Sequence, residues 1–156
     1  MIAADYNKGA KMSNDKMLNK LELLTCDAMV LYHKLHNFHW NVKGLHFYEI
    51  HNKTEEFYNH FALLFDNLAE RSLQLAVKPV VTLKQTLEKA RIKEVEKNNF
   101  STQEVIHALK DDFEFLLNEF NELSQYCEGD SATTALVDEE ISFLEKELWM
   151  MRSMVG

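Results

Sequence analysis

Glycine and proline are scarce, with four Gly and one Pro in 156 residues. Both interrupt helices, Gly through backbone entropy and Pro through a missing N–H and a steric clash, so their scarcity permits long helices. Basic charge is also short. Seventeen Lys and Arg face 25 Asp and Glu, a formal net charge of −8. A general nucleic-acid binder needs the opposite balance to contact phosphates, whereas this one suits a protein that attracts cations. The two cysteines, Cys26 and Cys127, lie far apart and form no CxxC motif. A disulfide framework is therefore not expected, and both are read as reduced thiols of a cytoplasmic protein. No apolar run is long enough to cross a bilayer. The opening MIAADYNKGAKMSNDK lacks the apolar stretch of a signal peptide, so neither secretion by that route nor membrane insertion is expected. What the chain does have is 46% hydrophobic residues, ample for a core, in a length that fits one domain.

The apolar residues fall into helical stripes. Residues 1–15 are polar with scattered charge and are expected to form a loose tail, leaving 16–153 as the single domain. A first helix places Leu21, Leu24, Ala28, Leu31, Leu35 and Phe38 in alternating steps of three and four, and Gly44 ends the segment as a cap would. A second repeats the pattern at Phe47, Ile50, Phe57, Phe61, Leu64, Leu68 and Leu75 until Pro79 stops it. Residues 76–101 form a long connection in which Thr82 precedes LKQTLEKA, a short helix of its own. Ser101 and Glu104, at capping-box spacing, open a third long helix that buries Val105, Leu109, Phe113, Leu116, Phe120 and Leu123. Gly129 ends it. Asp130 or Ser131 caps a fourth, with Val137, Ile141, Leu144, Leu148 and Met151 inward. Helix, short turn, helix, long crossover, helix, short turn, helix is the ferritin-like connectivity, an all-α four-helix bundle with a short helix in the crossover between helices 2 and 3.

The second helix also carries a ladder of metal-ligand types. His51 lies twelve residues after His39, Glu55 four after His51, Asp66 eleven after Glu55 and Glu70 four after Asp66. Spacing of i, i+4 stacks two side chains on one helix face. Measured from Ile50 at the centre of the core stripe, His51 lies about 100° round the helix, Glu55 about 140°, Asp66 about 160° and Glu70 about 200°. The stripe therefore faces away from its own bundle core. The eleven residues from Glu55 to Asp66 span roughly 16 Å, too far for both pairs to hold one ion. If the stripe binds metal, two copies of the helix meet antiparallel across a dyad, His51/Glu55 of one beside Asp66/Glu70 of the other. Asn59 and Ala62 fall near the midpoint of that face, where a small residue lets two helices approach. Mixed His and carboxylate donors suit Fe(II), with Zn(II) or Mn(II) as competitors.

Each element of the ladder also has a plain structural reading. A His–Glu pair at this spacing is commonly a solvated face, and Trp40 by itself is best read as a core or interface aromatic. Glu104 and His107 form one Glu-x-x-His, but a bundle-centre di-iron site needs two, and Glu104 already serves the capping box. His33 and His36, late in the first helix, face a second layer of the site or a neighbour. His60 points about 180° from His51 and belongs to no common site with it. Asp111, Asp112 and Glu114 read as solvated surface.

The stretch KLHNFHWNVKGLHFYEIHNKTEEFYNHFALLFDNLAERSLQL resembles the central motif of the Dps family of miniferritins, and KELWMMRSM is similar to that family's last helix. The likeness spans roughly residues 18–153, and its acidic balance and short tail are more similar to the neutrophil-activating branch than to strongly DNA-condensing members. The resemblance implies a hollow dodecamer with a ferroxidase site at each dimer interface. One subunit would supply His39, His51 and Glu55 and its two-fold partner Asp66 and Glu70. Glu55 stands where many members have Asp, one methylene shorter. Trp40 matches a family Trp beside the iron site that intercepts radicals. The implied chemistry is Fe(II) oxidation, preferably by hydrogen peroxide rather than oxygen, followed by storage of ferric mineral and protection against oxidative damage. Asp130, Asp138 and Glu139 are candidates for the acidic lining of pores. The rival reading is a non-catalytic shell that coats DNA or acts through its outer surface. Lys8, Lys11 and Lys16 against Asp5 and Asp15 give the tail only a thin basic excess, so DNA binding is expected to be weak or absent. A third, a different di-iron oxygenase on the same fold, lacks its second Glu-x-x-His.

Overall fold

The structure is a computed structural model that describes the backbone of residues 2–155 and the side chains of residues 14–154. Its elements are α1 (Ile2–Asn41), β1 (Val42–Lys43), α2 (Phe47–Gln74), α3 (Leu83–Lys89), β2 (Phe100–Ser101), α4 (Thr102–Ser124) and α5 (Ser131–Val155). The four long helices expected from the apolar stripes are α1, α2, α4 and α5, and α3 is the short helix of the crossover. The helical backbone of α1 also runs back through the segment expected to be a loose tail. The side chains of residues 1–13, and with them the basic excess of that tail, lie outside the described residues.

Burial follows the stripes. All six positions expected of α1 and all six of α4 are buried, as are Ile50, Phe57, Phe61, Leu64 and Leu68 of α2. Phe57, Phe61 and Phe113 pack edge to face at ring separations of 5.0 to 5.5 Å, joining α2 to α4. Phe47, expected in the core, is instead exposed at the first turn of α2. The turn before it is tight. Gly44 adopts φ +107°, a region open chiefly to glycine, and His46 follows at φ 63° as the N-cap. The Gly44 carbonyl then accepts the Phe47 N–H at 3.2 Å.

The crossover is tied down by polar contacts. Thr82 accepts the Gln85 N–H and starts α3. Buried Asp27 of α1 accepts the backbone N–H groups of Arg91 and Ile92 at 2.6 and 3.1 Å, and pairs with the Arg91 guanidinium, which also reaches Glu119. Asn37 donates to the carbonyls of Val95 and Lys97 at 2.7 and 3.0 Å. The chain then pairs in parallel with the end of α1's turn, Val42 opposite Phe100 and Lys43 opposite Ser101. Ser101 and Glu104 form the expected capping box. Asp130 caps α5, its Oδ1 accepting the Thr133 N–H at 3.0 Å. Asp112, expected on the surface, is largely buried and pairs with Lys34 of α1 at 2.6 Å. Cys26 and Cys127 are buried free thiols, and burial pushes each up to about 11, away from ready thiolate chemistry. No helix among the described residues is long and apolar enough to cross a membrane.

Candidate metal centre

The α1–α2 hairpin brings His39 and His51 together. Their rings stack at 3.7 Å between centroids with 22° between planes. His39 Nδ1 lies 2.8 Å from the His51 carbonyl oxygen, and His51 Nδ1 lies 2.9 Å from the His39 carbonyl oxygen. A carbonyl only accepts, so each Nδ1 carries the proton and donates. In the neutral ring each Nε2 then keeps its lone pair, the form in which imidazole binds a metal. Buried Thr54 supports the pair by donating to the carbonyls of Ile50 and His51 at 2.9 and 2.8 Å.

Glu55 follows one turn after His51 and is exposed on the same side of α2. Desolvation, with the charge and hydrogen bond of Glu55, holds the Tyr58 phenol above its ordinary value. Rings surround the imidazoles. Phe47 stacks on His51 at 5.1 Å, Tyr58 meets His39 edge-on at 5.3 Å, and His36 stacks on Tyr58 at 4.0 Å. Exposed Trp40 lies 5.3 Å from His36. Thr54, Tyr58 and Phe47 around the site were not singled out from sequence as its neighbours. Their signal was the helical spacing of 51, 54 and 58, which puts them on one side of α2.

Asp66 and Glu70 sit further along α2 and are exposed, as are Asn59 and Ala62 between the two groups. Within one chain they do not join the imidazoles: among the described residues no three His, Cys, Asp or Glu converge on a metal-sized point. The residues set aside from the ladder have partners of their own. His60 Nε2 lies 2.8 Å from Glu140 of α5. His107 bonds to the Gln103 carbonyl, while Lys97 and Ser101 hold Glu104 down to about 2. Asp130 is engaged by Arg71 and Thr133, whereas Asp138 and Glu139 are exposed.

Four long helices with a long crossover between the second and the third make the ferritin-like fold, and the family model described as a ferritin-like domain matches residues 18–156. A Helicobacter pylori relative named DNA protection during starvation protein is 41% identical over 140 residues, covering 88% of this chain and 97% of that protein. The crystal structure of CAIP from Helicobacter cinaedi matches with a TM-score of 0.88 at 42% identity, covering 90% of this chain and 99% of that one. A Dps protein from Vibrio cholerae O1, described as a member of a broad superfamily of ferritin-like diiron-carboxylate proteins, matches at 0.86 with 31% identity, covering 93% and 92%. The chain belongs to the Dps family of miniferritins.

Proposed function

We propose that this protein oxidises Fe(II), preferably with hydrogen peroxide, and stores the ferric product in the cavity of a dodecamer, protecting the cytoplasm against oxidative damage. The observation that carries the reading is the His39–His51 pair. Two stacked imidazoles whose Nδ1 protons are held by each other's backbone carbonyls present two Nε2 lone pairs on one surface. Such preorganisation is the usual device by which protein fixes an imidazole for a metal. Glu55 adds a carboxylate beside them, and Asp66 and Glu70 of a two-fold partner complete a mixed N/O set suited to Fe(II), with Zn(II) or Mn(II) as competitors. The diiron-carboxylate description of the Vibrio relative supports iron as the substrate.

Peroxide accepts two electrons and two protons to give two waters, so two ferrous ions supply one turnover without hydroxyl radical. The chain's own part is to bind and orient the ions and to keep the imidazole protons on Nδ1. Exposed Trp40, one ring away from Tyr58 through His36, is placed to intercept stray radicals. The test is His39→Ala and His51→Ala, each assayed for Fe(III) formation with peroxide and with oxygen, with assembly checked by light scattering. Both variants should assemble and nearly lose the fast peroxide reaction. Wild-type rates in both would overturn the assignment.

The names of relatives also favour a DNA-protecting role. In that second reading the shell coats DNA. The net charge of −8 weighs against direct phosphate contact.

A further inference from the structure

We infer that His60 and Glu140 form a second divalent-cation site, inside one subunit on the seam between α2 and α5 and separate from the His39–His51 face. It would take a borderline transition ion such as Zn(II) or Fe(II).

The seam is an antiparallel row of polar contacts. Lys53 meets Glu147 at 3.0 Å, His60 meets Glu140 at 2.8 Å, and Arg71 meets Thr133 and Asp130 at 2.8 and 2.6 Å. Among the described residues the buried carboxylates are Asp27, Glu140 and Glu147. A buried carboxylate is costly unless a compensating charge and hydrogen bonds accompany it. Asp27 has the Arg91 guanidinium and two backbone N–H groups, and Glu147 has the Lys53 ammonium. On the opposite seam Asp112 has the Lys34 ammonium. Glu140, only 3% exposed, differs from all of these in having no Lys or Arg partner among the described residues. Its one partner is an imidazole, and its Oε1 is buried with no hydrogen-bond donor among the described residues.

The geometry already approximates a chelate. Two ligands at about 2.1 Å from a tetrahedral metal stand about 3.4 Å apart. His60 Nε2 and Glu140 Oε2 are 2.8 Å apart, so exchanging the shared proton for a metal ion requires the two atoms to part by roughly 0.6 Å, with a small turn of the ring. The His60 ring is held in plane by Phe143, stacked at 3.7 Å and 12°. Its side chain keeps 27% exposure, which gives an ion a way in and water room to fill the remaining positions. A nitrogen and a carboxylate oxygen select the borderline divalent metals over Ca(II) or Mg(II), which prefer all-oxygen sets.

The test uses a His39→Ala/His51→Ala background, which removes the imidazoles of the outer face, so the result does not depend on the oxidation chemistry proposed above. The assembled protein is stripped with chelator and dialysed against Zn(II). About one Zn(II) per chain should remain, with nitrogen and oxygen neighbours in the zinc-edge X-ray absorption. Adding His60→Gln or Glu140→Gln should weaken that binding by at least the roughly tenfold that loss of an outer partner already costs a metal site. Glu140→Gln keeps an acceptor for the His60 N–H and removes the buried charge, so it is expected to fold. If one variant fails to assemble, the other decides. No bound zinc in the background, an all-oxygen zinc environment, or zinc binding that survives either substitution would overturn the site.

Discussion

Co-assembly of His51→Ala chains with Asp66→Ala chains separates a centre shared between subunits from one built within a chain. α2 is continuous from Phe47 to Gln74, and the fifteen residues from His51 to Asp66 put their backbones about 22 Å apart along its axis. Metal–ligand bonds are about 2.1 Å long, so an imidazole and a carboxylate at that separation cannot hold one ion. Each variant alone lacks a ligand at every two-fold site and should lose fast peroxide-driven oxidation. In a mixed two-fold pair, one site receives both damaged positions. The other takes His51 from the Asp66→Ala chain and Asp66 from the His51→Ala chain, and is intact. Random pairing of equal amounts makes half of the pairs mixed, each with one intact site of two, so about a quarter of wild-type activity should return. The assay is co-expression with two tags, tandem purification, confirmation of mixing by native mass spectrometry, and the rate of Fe(III) formation with peroxide. Mixed oligomers no more active than their parents would refute the dyad argument, and so would a fully active Asp66→Ala parent.

Native mass spectrometry of the wild-type protein should give twelve chains, and a stable monomer with full iron oxidation would defeat the shared-site reasoning. Plasmid retention in a gel-shift titration should be weak or absent at neutral pH and physiological salt, given the charge of −8; tight, salt-resistant retention would show a basic surface that the net charge conceals. Asp130 gives a pH-dependent stability test. Desolvation alone would raise its carboxyl, but hydrogen bonds from Thr133 and Arg71 outweigh it and hold the group down to about 2, below the ordinary 3.8. Its stabilisation is therefore present above the ordinary value and is lost as pH falls through about 2. Asp130→Ala should cost about 1–2 kcal/mol at neutral pH, typical of an N-cap. Thermal melts should show the gap from wild type closing in strong acid, and a gap independent of pH would contradict the capping role.

The long helices were legible because their determinants are local. Steps of three and four from Leu21 to Phe38 and from Val105 to Leu123 mark a buried face whatever the partner, and Ser101 with Glu104 marks a start through its own hydrogen bonds. What escaped depends on long-range partners. Asp112 sits in an acidic run that reads as surface until Lys34, on another helix, supplies its counter-charge. The two-residue pairing of Val42 with Phe100 depends on how the crossover is anchored at Asp27 and Asn37, which no periodicity records. Phe47 matched the apolar stripe by angle. It lies at the first turn, though, where the stripe runs out past the end of the bundle and an aromatic stacks on His51 instead.

The same division runs through the candidate centre. Spacing alone placed His51, Glu55, Asp66 and Glu70 on the outward face of one helix, because helix geometry converts sequence separation directly into angle and rise. It left the His39–His51 contact open, since twelve residues and a turn lie between them. The structure resolves that contact through backbone rather than side-chain chemistry. Gly44 and His46 take positive φ values, the turn closes tightly, and the carbonyls of residues 39 and 51 each come to face the other residue's Nδ1. The imidazole pair is thus made by the turn as much as by the histidines. A residue other than glycine at 44 would be strained whatever the space around it, because its φ of +107° lies in a region that L side chains rarely adopt. Loosening that turn would free both imidazoles to rotate and exchange tautomers, so metal affinity would fall with every proposed ligand still present.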